Sequence, residues 1–381
     1  MSGTGGGPLA GVRVLDLSRL LPGASCTRLL RDLGAEVVKV ERPGVGDDLR
    51  HEAPEVADGV SAVHQFLDAG KRSVALDLKN PDDVALVLAL GERADAVLES
   101  FRPGVADRLG VGYAQFAARN PAVVYVSLSG YGQDGPRSHE PGHDINFCAE
   151  AGVLSTTGSA ESGPALSAVL TADMTGGSLA ATAVLAGVLQ ARATGRGSHV
   201  DVSLYEAAHW ALALPMSAHL AGGPDWADQS GPLNGGLPCY RVYACADGRH
   251  IAVGALEPVF WERLVALLDR PDLADRRTDP TAIGELAAVF AQRPLAEWLD
   301  LLGDAQVCVS PVRTLPEAAA DPHLRSRGGV VTAGEEWTVE QPGCPIRFAG
   351  HEVRRAVAPE LDGDGPWARE QVSPAPPRSG A

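Results

Sequence analysis

Three ionisable residues, His143, Asp173 and Glu257, stand beside segments that predict helix starts. His143 lies in GHDINF, Asp173 in LTADMTGG and Glu257 in GALEP. Imidazole and carboxylate groups transfer protons, so these residues are candidate general acids and bases. Each also has an ordinary structural explanation. Asp173 suits a helix N-cap, an acidic Glu257 suits a helix start, and a lone histidine beside an aspartate is more often a structural hydrogen-bonding residue.

Four basic residues flank predicted strands and form a candidate site for an anionic ligand. Arg42 and Arg102 directly follow a strand, whereas Lys71 and Arg72 directly precede one. Guanidinium and ammonium groups bind phosphate oxygens, and an acidic protein needs a local basic focus to attract an anion. Surface salt bridges explain any single one of them equally well. Arg102 is the preferred member because ligands of parallel sheets bind beyond the carboxyl ends of strands.

Strand and helix patterns alternate through the first 130 residues. The predicted strands are GVRVLDLS, AEVVKVE, SVALDL, DAVLESF and AVVYVSLSG, with helical segments such as SCTRLLRDLG between them. This alternation predicts an α/β fold with a doubly wound parallel, Rossmann-like sheet. The first turn, LLPGASC, has one glycine rather than the GxGxxG pattern, which argues against dinucleotide binding.

The later part of the chain predicts a second, smaller α+β domain. A small-residue-rich helix beginning at Thr171 is apolar almost all round and is expected to be buried. Further on, YRVYACADGRHIAVGA predicts a hairpin that turns at Asp247-Gly248. The expected organisation is a large domain over residues 1–219, a small domain over 220–325, and a return to the large domain over 326–381 that ends in a frayed tail.

The composition narrows the class of protein. The chain has 381 residues, of which 45% are hydrophobic and 21% charged, with a formal net charge of -16. That charge argues against nucleic acid and anionic membranes as partners. The six cysteines have no CxxC or metal-ligand spacing, and the N-terminus lacks the pattern of a signal peptide. We therefore expect reduced thiols, no metal and a cytoplasmic location.

Many ordered blocks of the sequence resemble the family III CoA-transferase and α-methylacyl-CoA racemase group, also called CaiB/BaiF-like. They include PLAGVRVLDLSRLLPG, LGAEVVKVERPGVGDDLR, ESFRPGVADRLGVGY, SLSGYGQDGP, GHDINF and CADGRHIAVGALEP. The resemblance covers nearly the whole chain, and GHDINF and LEP are similar to the racemase branch. It implies an interlocked homodimer that binds acyl-CoA between the large domain of one chain and the small domain of the other.

The resemblance also implies roles for individual residues. His143 and Asp173 would act on opposite faces of the α-carbon, and Glu257, from the other chain, would orient His143. Removing a weakly acidic α-proton and returning it on the other face needs two such groups and a donor for the enolate oxygen. The backbone N–H of Asp144 is the candidate donor, and no external cofactor is expected. The implied CoA-binding residues are Arg42, Lys71, Arg72, Arg102, Gly130 and Tyr131.

Two other functions stay open at this point. In a CoA-transferase, Asp173 would attack the thioester and form a mixed anhydride, so that the same residue would be a nucleophile. A catalytically silent CoA-binding homologue would need no such combination of His143, Asp173 and Glu257. The second candidate base, His143, favours epimerisation of 2-methylacyl-CoA over transfer.

Overall fold

The computed structural model describes residues 6–57, 59–334 and 338–372. In chain order its strands are β1 (Arg13–Leu17), β2 (Glu36–Glu41), β3 (Glu55–Ala57), β4 (Val60–Ser61), β5 (Arg72–Ala75), β6 (Ala96–Glu99), β7 (Val124–Ser129), β8 (Ser198–Ser203), β9 (Tyr240–Ala244), β10 (His250–Gly254), β11 (Val309–Pro311), β12 (Val330–Ala333) and β13 (Val339–Pro342). Most of the predicted frayed tail lies outside the described residues.

The α-helices, again in chain order, are α1 (Leu20–Asp32), α2 (Ala62–Leu67), α3 (Pro81–Gly91), α4 (Val105–Arg108), α5 (Tyr113–Arg119), α6 (Asp144–Glu150), α7 (Thr171–Thr194), α8 (Leu204–Ala211), α9 (Ala213–Leu220), α10 (Pro258–Leu267), α11 (Ala282–Phe290), α12 (Leu295–Leu302), α13 (Leu315–Ala319), α14 (Pro322–Ser326) and α15 (Gly365–Val372). Short 3₁₀ helices cover Asp48–His51, Leu154–Thr156, Ala227–Gln229 and Pro271–Arg276.

The chain divides into two compact units. The large unit comprises Met1–Ala151, Val169–Ala211 and Pro322–Ala381, and the small unit comprises Gly152–Ala168 and Leu212–Asp321. The domain limits proposed from the sequence stay a prediction. Each unit has its own buried apolar core, as expected for a chain longer than a single core usually supports.

The large unit is built on a six-stranded parallel sheet in the described part of the chain, with the order β5-β2-β1-β6-β7-β8. The α/β, doubly wound fold is thereby confirmed. The chain moves outward from β1 through β2 to β5, then returns beside β1 and moves the other way. Such a sheet has its topological switch point between β1 and β6, where the following loops diverge and leave a crevice for a ligand.

The long helix α7 packs against the sheet through small residues. A side-chain carbon on Gly177 would lie 2.6 Å from the Pro22 carbonyl oxygen of α1, and one on Gly187 would lie 2.5 Å from Val124 of β7. Glycine therefore permits the close approach of α7 to both elements. The opposite face is open, since Leu189 is 70% exposed, so the expectation of an entirely buried helix is wrong for that face.

Helix α7 also has the length and apolar composition that a membrane span requires, and within the described residues it is the one helix that does. Of the window that meets this requirement, 44% is buried inside the protein. Core helices of water-soluble proteins have the same length and composition, so this feature is weak evidence for a membrane span.

The small unit contains an antiparallel sheet, β11-β10-β9, covered by helices. The predicted hairpin is confirmed: β9 pairs with β10, and Gly248 in the turn adopts a φ of +76°. Trp261, Phe290 and Trp298 are almost fully buried in the core beneath this sheet. All six cysteines of the chain are free thiols, as expected from their spacing.

Candidate active site

Helix α6 begins directly after His143, at the end of the loop that follows β7. The backbone N–H of His143 donates to the Asn146 side chain at 3.0 Å, which closes the first turn of the helix. The His143 imidazole is exposed. Because Asp144 is the first helical residue, its N–H has no partner within the helix and is free to bind an oxygen atom.

The Asp144 carboxylate connects α6 to α7. Asp144 is 9% exposed, and its Oδ1 accepts the backbone N–H of Asp173 at 3.1 Å. Its Oδ2 accepts the thiol of Cys148 at 3.4 Å. This hydrogen bond joins the first turn of α7, which contains Asp173, to the start of α6 next to His143, 30 positions earlier in the chain.

Asp173 is the third residue of α7, and the residue before the helix is Leu170. The alternative interpretation of Asp173 as the N-cap is thus wrong, because the N-terminal turn begins two residues earlier and Asp144 supplies the capping oxygen. The Asp173 carboxylate is half-buried and accepts no hydrogen bond from the described residues. Burial, together with the nearby Asp144 carboxylate, raises the pKa of Asp173 to about 6.

Glu257 lies in the small unit, immediately before α10. It occupies the N-cap position, as the structural interpretation of the sequence expects, but its side chain makes no capping hydrogen bond. The side chain is exposed. An exposed carboxylate that does not serve its own helix is available to another group.

The loop between β7 and His143 is tied to α6 by aromatic and charged contacts. Tyr131 Oη donates to Glu150 Oε2 at 2.8 Å, and the Arg137 guanidinium lies 4.3 Å from the Tyr131 ring centre. Gly130 gives room for Phe147, since an added side-chain carbon would lie 2.8 Å from that ring. In this structure Gly130 and Tyr131 therefore support α6, and their predicted contact with CoA stays a prediction.

A cavity of about 340 Å³ lies at the switch point of the sheet. Its walls include the apolar side chains of Leu17, Val40, Phe101 and Leu109. Basic side chains also line it: Arg19, Arg42 and Lys79. Acidic side chains line the cavity as well, namely Glu41, Asp47 and Asp77, so its polar lining carries both signs of charge.

Two of these cationic side chains share one carboxylate. Arg42 Nη2 lies 2.6 Å from Asp48 Oδ1, and Arg19 pairs with the other oxygen of Asp48. All three side chains are more than 40% exposed. The sequence interpretation included Arg42 but missed Arg19 and Lys79, although both follow predicted strands of the sheet in the same way as Arg42.

The other predicted phosphate ligands lie in different surroundings. Lys71 is 4% exposed, and its Nζ is 2.7 Å from Asp68 Oδ1. Arg72 begins β5, at the amino edge of the sheet, and pairs with Glu36 and Asp364 at 2.9 and 2.8 Å. Arg102 follows β6, is exposed, and has no ion-pair partner in the described part of the chain.

A buried carboxyl group, Glu99, was not singled out from the sequence. It ends β6 beside the switch point, is 3% exposed and accepts the Phe101 N–H at 2.7 Å. Burial is the main cause that raises the pKa of Glu99 to about 7. The sequence feature that could have indicated Glu99 is its position at the carboxyl end of an otherwise apolar strand.

A family model described as CoA-transferase family III matches residues 9–365 of the chain. The chain belongs to this family. It is 36% identical over 342 residues to the alpha-methylacyl-CoA racemase of Mus musculus, covering 88% of this chain and 85% of that protein. It is also 32% identical over 380 residues to the acetyl-CoA:oxalate CoA-transferase of Acetobacter aceti, covering 96% of each.

Solved structures show the same architecture. A CaiB/BaiF family protein from Brucella suis superposes with a TM-score of 0.85 at 27% identity, covering 97% of this chain and all of that one. Family membership confirms the resemblance drawn from the sequence blocks. Racemases and CoA-transferases match this family III enzyme about equally well, so the reaction is decided by the chemistry of its site.

Proposed function

We propose that this enzyme is an α-methylacyl-CoA racemase that interconverts (2R)- and (2S)-2-methylacyl-CoA thioesters. One of His143 and Asp173 takes the α-proton, and the electron pair moves onto the thioester oxygen to form an enolate. The other residue returns a proton to the opposite face. The observation that carries the proposal is the hydrogen bond from the backbone N–H of Asp173 to the side chain of Asp144, the residue next to His143.

The protonation behaviour of Asp173 supports this role. A general base works best when its pKa lies near the working pH, and the pKa of Asp173 is about 6. Its carboxylate is free of competing hydrogen bonds from the described residues, so it can approach a substrate proton. His143 is exposed, so a substrate can reach its imidazole.

In this proposal the enolate oxygen accepts a hydrogen bond from the free backbone N–H of Asp144, at the start of α6. A single donor of this kind typically stabilises the transition state by about 3 kcal/mol. The CoA nucleotide is assigned to the cavity at the switch point, where Arg19, Arg42 and Lys79 are the basic side chains of the lining. Arg102 is not part of that lining; it is assigned to a phosphate because it is exposed and follows a strand of the same sheet. Lys71 would contact a phosphate only if its pair with Asp68 opened.

A CoA-transferase is the second candidate, and one feature of the site favours it. The same free carboxylate of Asp173 could attack a thioester carbonyl, expelling CoA as a thiolate and leaving an acyl-aspartyl anhydride. The match to the Acetobacter aceti transferase over 96% of both chains is consistent with this chemistry. Transfer has no evident need for His143, which is why we rank it second.

Proton exchange in D₂O separates the two reactions. We expect a single epimer of a 2-methylacyl-CoA, incubated with the enzyme and no acceptor acid, to incorporate deuterium at C2 and form the other epimer, as followed by ¹H NMR. The thioester without enzyme is the control. Absence of exchange, together with CoA transfer after a free carboxylic acid is added, would contradict the racemase proposal.

We further propose a homodimer in which Glu257 of one copy serves the His143 of another. The apolar side chains of Leu189 on α7 and Trp210 on α8 are 70% and 69% exposed, and a second copy of the chain is the partner that we propose to cover them. Co-refolding inactive Glu257→Ala with inactive Asp173→Ala should restore activity, because mixed dimers contain one complete site. If the mixture stays inactive while refolded wild type recovers, the shared site is wrong.

A further inference from the structure

The carboxylate of Asp144 is buried without a cation to neutralise it. It is 9% exposed, and among the described residues its partners are one backbone N–H and one thiol. Burying a charged group is costly unless it is paired. An Asn side chain has an oxygen in the same place and would accept the Asp173 N–H without that cost. A hydrogen bond to α7 alone therefore does not explain why residue 144 is a charged aspartate and not a neutral residue.

We infer that Asp144 is a positioning residue for Asp173: its side chain holds the first turn of α7 against α6 and places a second carboxylate next to that of Asp173. The inference rests on the proposed function of Asp173 as an acid and base. One residue thereby has two tasks. Its backbone N–H is directed to the substrate oxygen, and its side chain is directed to the neighbouring helix.

The electrostatic surroundings of Asp173 support the second task. The N-terminus of a long helix favours the ionised form of a carboxyl group in its first turn, which lowers the pKa. Burial and the Asp144 charge act in the opposite direction and prevail, so the pKa of Asp173 is about 6. A neutral side chain at position 144 would leave Asp173 a weaker base at the same pH.

The other titratable groups around α7 do not account for this effect. On α6, the thiol of Cys148 is a third member of the cluster, and burial is the main cause that raises its pKa to about 11. The causes that raise the pKa of Asp173 do not include the other titratable groups on α6 and on the elements packed against α7, among them His143, Cys26, His199, Asp201, Glu206 and His209. Among the described residues, Asp144 is the charged group whose electrostatic interaction raises the pKa of Asp173, after burial as the main cause.

Two substitutions separate position from charge. Asp144→Asn keeps an oxygen that accepts the Asp173 N–H but removes the charge, whereas Asp144→Ala removes both. In the wild-type enzyme we expect the acid limb of kcat/KM for epimerisation to have its midpoint near pH 6. In Asp144→Asn the midpoint should move below 6 yet stay above the ordinary aspartate value of about 3.9, because burial is unchanged. Asp144→Ala should show the same shift and a further loss of kcat, about tenfold.

Glu206→Gln is the matched control, since it removes an exposed carboxylate from α8, another helix that packs against α7. Its acid-limb midpoint should equal that of the wild type. An Asp144→Asn enzyme that folds, epimerises and keeps the wild-type midpoint would overturn the inference while leaving the racemase proposal intact. Circular dichroism establishes folding for each variant.

The inference can also be tested if the racemase proposal fails. A CoA-transferase uses the ionised form of Asp173 as well, so the same shift should appear in the acid limb of CoA transfer. A third measurement needs no activity: ¹³C NMR titration of Asp173 in enzyme labelled at aspartate Cγ, assigned with Asp173→Asn. An Asp173 titration midpoint that is the same in wild type and Asp144→Asn would contradict the inference under either reaction.

Discussion

Asp173→Asn should lower the rate of epimerisation by about 10²- to 10⁴-fold, the usual contribution of a general acid or base. Asn has the same shape, keeps the backbone N–H that donates to Asp144, and cannot accept a proton at neutral pH. The fold should therefore be unchanged while the chemistry is lost. The measurement is the rate of formation of the second epimer from either pure epimer of a 2-methylacyl-CoA.

The same variant should keep a distinctive residual activity. His143 is intact and exposed, so it can still remove the α-proton from one face and exchange it with solvent. In D₂O, Asp173→Asn should thus exchange the α-proton of one epimer for deuterium without inverting that epimer. His143→Gln should catalyse the same exchange in the other epimer. Opposite selectivity in the two variants identifies a two-base site, whereas a transferase nucleophile predicts no exchange in either.

Asp95→Asn is a suitable control. Its carboxylate lies at the amino edge of the sheet, where it accepts the backbone N–H of Arg13 at 2.9 Å, away from both candidate bases. It should epimerise at the wild-type rate. Wild-type epimerisation by Asp173→Asn would disprove the role proposed for Asp173.

Asp68→Asn should destabilise the large unit by about 3–5 kcal/mol, the usual cost of removing one member of a buried ion pair. The Asp68 carboxylate is fully buried and lies 2.7 Å from Lys71 Nζ, 3.3 Å from Lys39 Nζ and 2.9 Å from His64 Nδ1. An amide cannot neutralise two buried ammonium groups. Urea unfolding followed by circular dichroism measures the loss.

The pH dependence of this loss has a definite sign. Burial alone would raise the pKa of Asp68, but Lys39, Lys71 and His64 hold it well below its usual range. The native state therefore gains stability from Asp68 at every pH above the unfolded-state pKa of about 3.9 and loses it as the pH falls further, toward the folded-state pKa. The difference between wild type and Asp68→Asn should be full at pH 7 and should shrink only below about pH 4.

Asp48→Asn is the control for this experiment, because it removes an exposed carboxylate that also pairs with two basic side chains. Exposed ion pairs contribute at most about 1 kcal/mol, so a small effect is expected. A loss of less than 1 kcal/mol in Asp68→Asn as well would mean that the buried charges are hydrated or neutral, contrary to their burial.

The buried charges also bear on the ligand cavity. Lys39 Nζ lies 2.9 Å from Asp47 Oδ2, and Asp47 accepts the backbone N–H groups of Leu49 and Leu20. Leu20 has a φ of +64°, a conformation that is unfavourable for a branched side chain. Lys39 and Asp47 thus help to hold the turns after β1 and β2 that line the cavity.

The pattern along the chain was sufficient to predict most of the large unit. Apolar segments of strand length alternating with helical ones predicted β1, β2, β5, β6 and β7 and the parallel, doubly wound sheet. The sixth strand, β8, was missed because it reads SHVDVS, with polar residues that an edge strand tolerates but a buried strand does not. The motifs GHDINF and LTADMTGG made His143 and Asp173 candidate acid/base residues, since each motif is contiguous.

Tertiary structure decided which charged groups meet, because electrostatic partners are set by distance in space and not by spacing in the sequence. Lys71 and Arg72 are adjacent in the chain, yet one is buried against Asp68 and the other lies on the amino edge with Glu36. Likewise, nothing local indicates that Asp144 reaches Asp173 across 29 positions. The sequence by itself determined the fold class and the residue types of the site. The packing of α6 on α7 made Asp144 the neighbour of Asp173. Burial together with the Asp144 carboxylate then raised the pKa of Asp173.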